Sequence, residues 1–243
     1  MFADTKNNRA HSRSWIYNLA EVLLVLLPAF LLIKLTRSWV GDDLIRSFGI
    51  VWTANLLMLA LIWTSMKIRG QSWKDFGLTF GRFGSKQASK MFGLSLLVFV
   101  FAISCYVFGS VLMANIVGMP ESADFSRYDF LKDNLGGLLL SLLGVYFISS
   151  FGEEVIYRAF LINRFSEMSS NFKYGNTIAV MLSAILFGLI HYEWGLTGMV
   201  QTGFMGLAMG IAYIKLKKRL WILVFAHMYM DTLLLVPIYL ANN

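Results

Sequence analysis

The sequence predicts an all-α fold, a polytopic transmembrane bundle of about seven helices. Three observations carry that expectation. The chain is 57% hydrophobic, only 14% charged and holds three prolines, which suits a membrane protein and no soluble globular class. Its apolar residues gather in runs that can cross a hydrocarbon core of roughly 30 Å, at residues 15–35, 47–66, 91–113, 135–157, 176–191, 196–214 and 220–240. Its lysines and arginines alternate in density between successive loops, as they do when positive loops stay on the cytoplasmic side.

The elements follow in order. Residues 1–14 form a basic tail with Lys6, Arg9 and Arg13. The first apolar run has no evident small-x-small cleavage site, so it reads as a retained helix rather than a signal peptide. The loop after helix 2 carries Lys67, Arg69, Lys74, Arg82, Lys86 and Lys90, and the loop after helix 6 carries Lys215, Lys217, Lys218 and Arg219. The loop at 114–134 instead balances Arg127 and Lys132 against Glu121, Asp124, Asp129 and Asp133, and the turn after helix 5 has only Glu193. This pattern places the N-terminus in the cytoplasm and the C-terminus outside.

Segment 71–83 mixes Trp73, Phe76, Leu78, Phe80 and Phe83 with Lys74 and Arg82. It reads either as an interfacial segment with its rings at headgroup level or as an ordinary juxtamembrane loop. Cys105, the only cysteine, lies in helix 3, which excludes an intramolecular disulfide and a cysteine metal cluster. The net charge of +7 sits at membrane edges, where anionic lipid explains it and nucleic acid does not. Helix 6 carries Gly195, Gly198, Gly203, Gly206 and Gly210, spacing that serves close helix packing or the wall of a groove. The chain divides into the tail, N-terminal membrane helices and an interfacial loop at 15–134, and a core at 135–240, all within one continuous membrane domain.

Among the acidic residues, Glu21, Glu153, Glu154 and Asp231 fall inside apolar stretches, and ionisable residues in hydrocarbon are functional candidates by default. Two of them sit in the string FGEEVIYRAF at 151–160. Residues four apart share a helix face, so Glu154 pairs with Arg158 while Glu153 points elsewhere. That split suits a structural Glu154 and a reactive Glu153, although an architectural Glu/Arg cluster fits the segment equally well. FGLIH in helix 5 sets Phe187 four residues before His191, and HMYMD in helix 7 sets His227 four residues before Asp231. A carboxylate that takes a proton from water, an imidazole that holds the water, and donors facing an oxyanion are what peptide hydrolysis requires.

The trio EEVIYR, FGLIH and HMYMD, in this order on three late helices, resembles the CPBP or Abi family of intramembrane proteases, which contains CAAX prenyl endopeptidases and bacteriocin-processing or immunity proteins. The resemblance covers about residues 135–240, and the SWKDFGL stretch is similar to the segment that precedes the core in bacterial members. It implies a glutamate-dependent endopeptidase without metal or other cofactor, acting on a peptide or membrane-anchored protein in the lipid bilayer. Carried over by position, Glu153 would be the general base and His191 its partner in activating water. His227 and Asp231 would stabilise the oxyanion, with Glu154, Arg158 and Phe187 in support. Position 231 departs from members with asparagine there. An ionised aspartate cannot donate a hydrogen bond, so Asp231 must be protonated or must orient His227, and the orienting role is the expected one.

Zinc is the rival chemistry, since Glu, His, His and Asp are all acceptable ligands; there is no HExxH, and no two histidines share a helix face. A non-enzymatic immunity or regulatory protein that binds another membrane protein is the rival class. A transporter is disfavoured by the lack of a repeated half. Depth raises a further question, because His191 lies sixteen residues beyond Gly175, about 24 Å along a straight helix. Helix 5 is therefore expected to be tilted, broken or started deeper if His191 is to meet the other residues.

Overall fold

A computed structural model describes residues 14–40, 44–79, 84–118 and 126–241. Lys6, Arg9, Arg13, Phe80, Arg82, Phe83, Glu121 and Asp124, all used above, lie outside the described residues. Seven long helices stand among the described residues: α1 Trp15–Val40, α2 Leu44–Arg69, α3 Ser85–Val117, α4 Leu135–Met168, α5 Gly175–Leu189, α6 Gly195–Lys215 and α7 Leu220–Leu240. The fold is all-helical.

Five of these, α1, α2, α3, α4 and α7, are long and apolar enough to cross a membrane singly, and α5 with α6 raises the number to six if the pair is one span. Seven independent crossings were expected, and α5 and α6 account for the difference. With fifteen residues, α5 reaches only about 22 Å, and α6 dilutes its apolar residues with glycine, threonine and glutamine. The two fold back on each other. Val180 meets Gly210, Phe187 meets Gly206, and Gly188 meets Gly203 and the Met199 carbonyl, so positions rise on one helix as they fall on the other. The glycines of α6 serve this close approach, which is the packing use of small residues.

Large side chains such as Leu97, Leu140 and Phe147 project outward uncovered, an arrangement that water disfavours and lipid tails accept. The protein is an integral, multi-pass membrane protein.

One end of the bundle is tied by charge. Glu21 of α1 pairs with Arg69 of α2 and with Arg164 near the end of α4, the latter at 2.8 Å. Arg69 also reaches Glu167 at 2.9 Å and Arg164 reaches Gln71 at 2.8 Å. Glu21 is thus an acid in an apolar helix whose partners are two buried arginines. Segment 71–79 docks at the same end, with Phe76 and Leu78 almost fully buried and Arg164 over the Phe76 ring. Those two side chains are core, not headgroup-level anchors, because the end of α4 and the start of α7 supply a surface to cover them.

Gly77 closes this dock. Its carbonyl accepts from the Leu220 amide at 3.3 Å, its φ is +82°, and an added Cβ would stand 1.5 Å from the Lys218 carbonyl oxygen. Gly77→Ala is expected to destabilise the protein by about 1–3 kcal/mol from backbone strain alone, with the clash adding to it. Thermal unfolding in detergent should show a clearly lowered midpoint, and an unchanged one would contradict the packing.

Candidate active site

The central part of α4 is not a regular α-helix. Residues Tyr146–Phe151 and Glu154–Ile162 form π-helix on either side of Gly152 and Glu153. Such turns are rare and concentrate at functional sites. Side chains from the surroundings serve their carbonyls: Asn55 of α2 donates to Ile148, Ser183 of α5 to Tyr157 at 2.6 Å, and Asn163 to Ala159 at 2.6 Å. Irregular backbone was not expected in helix 4; for helix 5, the chain breaks and bends by 61° between Leu189 and Tyr192. Helix α5 is unbroken to Leu189, and His191 sits just beyond it, at the turn into Tyr192–Trp194.

The two adjacent glutamates meet different surroundings. Glu154 is wholly buried and forms an ion pair with Arg158 at 3.0 Å. The same Oε1 lies 2.9 Å from Nδ1 of His227, which reaches in from α7. Arg158 is also buried and lies over the Phe187 ring, 4.3 Å from its centroid. A buried chain of guanidinium, carboxylate and imidazole thus joins α4 to α7. Opposite charges at this range offset the desolvation that each would otherwise suffer.

Glu153, by contrast, is partly accessible, as are His191 and Asp231. Its Oε1 accepts from Ser149 at 3.2 Å. It lies within electrostatic reach of His227, Asp231, Arg158 and Glu154. His191 lies within reach of His227 and Arg158, so those two groups are common to both neighbourhoods. Phe187 links the parts physically, with Arg158 over its ring and the His191 ring 4.9 Å from it, centroid to centroid. Trp194 covers His191 from the following turn at 4.8 Å.

Hydrogen bonding assigns the ring nitrogens. A backbone carbonyl only accepts, so the contact of His191 Nδ1 with the Phe187 carbonyl at 2.8 Å places the proton on Nδ1. A neutral His191 then offers the Nε2 lone pair. The Glu154 carboxylate likewise draws a proton of His227 to Nδ1, so only the imidazolium form would have an Nε2–H left to donate.

Asp231 departs from its expected place. The partner of His227 Nδ1 is Glu154, while Asp231 Oδ2 accepts from Ser150 at 2.6 Å. Helical spacing puts Asp231 one turn beyond His227, facing α4, where Ser150 stands in its path. Ser149, Ser150 and Asn55 were not singled out from the sequence. The two serines directly before FGEE were the available signal, since hydroxyls in an apolar span beside carboxylates are natural donors to them. Among the described residues, no three His, Cys, Asp or Glu side chains gather as a metal-ligand set.

Residues 135–233 match the family model described as type II CAAX prenyl endopeptidase Rce1-like. What this segment is similar to is therefore the CAAX-protease family. No curated protein and no solved structure significantly matches the chain. The matched segment contains all of α4 to α6 and the first two-thirds of α7, and so every titratable residue of the arrangement above. The helices before it supply Asn55 and the Glu21–Arg69 pair that brace α4 from outside.

Proposed function

We propose that this protein is an intramembrane glutamic endopeptidase, which hydrolyses a peptide bond in a peptide or membrane-anchored protein with water activated by Glu153 and His191. The observation that carries the reading is the unequal treatment of adjacent glutamates: Glu154 is buried and paired with Arg158, while Glu153 is partly accessible, bonded to Ser149 and within electrostatic reach of His227 and Asp231.

In the proposed reaction a water lies between the Glu153 carboxylate and Nε2 of His191. Glu153 takes one proton as the water oxygen attacks the scissile carbonyl carbon. The carbonyl oxygen becomes an oxyanion and accepts a hydrogen bond from Nε2–H of the His227 imidazolium, which Glu154 holds in position. Collapse of the intermediate breaks the C–N bond, and the proton on Glu153 passes to the leaving amine. The products are a carboxylic acid, which gives its remaining proton to the amine or to water, and an amine, and Glu153 is restored as a carboxylate. A prenylated CAAX tail is one candidate substrate by family.

The basic ends of α2 and α6 and the 70–79 loop share one end of the bundle, which we assign to the cytoplasm. On that assignment α7 carries His227 about 10 Å and Asp231 about 16 Å into the membrane.

The reading favours a metal-free site, since His227 and Asp231 are held by Glu154 and Ser150. Wild-type protein in lipid nanodiscs should therefore cleave a susceptible peptide or CAAX-type substrate after thorough treatment with 1,10-phenanthroline. Loss of cleavage that zinc restores would overturn the metal-free mechanism. Biological activity retained without any proteolysis would favour the immunity or regulatory reading.

A further inference from the structure

We propose that Ser150 is a positioning residue for Asp231, and that this chain can use an aspartate at that place because Ser150 holds it. The proposal deepens the peptidase reading and rests on it. Ser150 is wholly buried in the first π segment of α4 and donates across the helix interface to Asp231 Oδ2 at 2.6 Å. Its neighbour Ser149 donates to Glu153 within α4. Adjacent helical side chains diverge, so two consecutive hydroxyls serve two carboxylates on different helices.

A carboxylate offers only acceptor oxygens and needs donors when it leaves water. With Oδ2 fixed by Ser150, the charge of Asp231 stays directed at His227, with which it interacts from one turn away. Without the hydroxyl, the carboxylate is free to rotate away from His227, and the imidazolium that receives the oxyanion loses part of its support. An amide in place of the carboxylate carries no charge to neutralise and can itself donate a hydrogen bond. It does not require the serine.

The test uses the full chain in nanodiscs with one peptide substrate. Ser150→Ala should lower kcat by about 10- to 100-fold, the range of one lost hydrogen bond to a charged group, with KM little changed. Asp231→Asn should lower kcat to a similar degree, and the double variant Ser150→Ala/Asp231→Asn should be no slower than the slower single variant, because the serine acts only through the carboxylate. Wild-type kcat in Ser150→Ala, or two single losses that multiply in the double variant, would overturn the proposal. If wild-type protein and Glu153→Gln prove equally inert, the peptidase reading fails instead. The pair is then judged by thermal unfolding, where Ser150→Ala should lower the midpoint and Asp231→Asn in that background should restore it. Equal midpoints in all three proteins would overturn the pairing itself.

Discussion

Glu153→Gln should reduce peptide cleavage by a factor on the order of 10²–10⁴, the usual contribution of a general base, while the protein unfolds at the wild-type temperature. The substitution keeps the size of the side chain and an oxygen able to accept from Ser149, but an amide cannot take the proton that water must lose. The ion pair that holds α4 to α7 belongs to Glu154 and is untouched, so stability has no reason to change. The loss should fall on kcat rather than KM, because the proton is transferred only as the transition state forms. Steady-state kinetics in nanodiscs with a thermal melt on the same preparation would check both halves. Full activity in the variant would remove Glu153 from the reaction, and a collapsed midpoint would show it to be structural.

What the sequence made legible and what it did not differ by range. The Glu154–Arg158 pair follows from spacing within one helix, and it forms. The seven helices follow from apolar runs and the alternation of basic loops. The bond from His227 to Glu154 joins residues 73 apart in the chain, and no local pattern encodes which face of α7 meets which face of α4. Asp231 was expected to orient His227 because an ionised aspartate cannot donate a hydrogen bond to an oxyanion. The tertiary fold instead gave each a partner on α4. Helix 4 itself was read as regular, since π turns have the same apolar composition as the α-helix around them and depend on donors such as Asn55 and Ser183 from neighbouring helices. The position of His191 was posed as a question of depth; α5 ends at Leu189, and His191 packs on Phe187, over whose ring Arg158 lies.

Glu154→Leu should be the most damaging single substitution to stability. It leaves Arg158, whose side chain is 1% exposed, as a buried cation without its counter-charge, a loss of about 3–5 kcal/mol in comparable pairs. It also removes the acceptor of His227 Nδ1, so any folded fraction should cleave poorly. These two effects can be separated. In Glu154→Leu/Arg158→Leu neither charge remains to be neutralised, and replacing both partners of a buried pair by apolar groups is often neutral. The double variant should therefore regain much of the lost stability, measured by thermal or denaturant unfolding. It should not regain cleavage, because His227 still lacks the carboxylate that fixes its tautomer and favours its charge. A single variant as stable as wild type would mean that Arg158 finds solvent or another acceptor. Cleavage restored in the double variant would mean that His227 works without Glu154, and the buried chain from Arg158 to His227 would then be a structural brace and no part of the reaction.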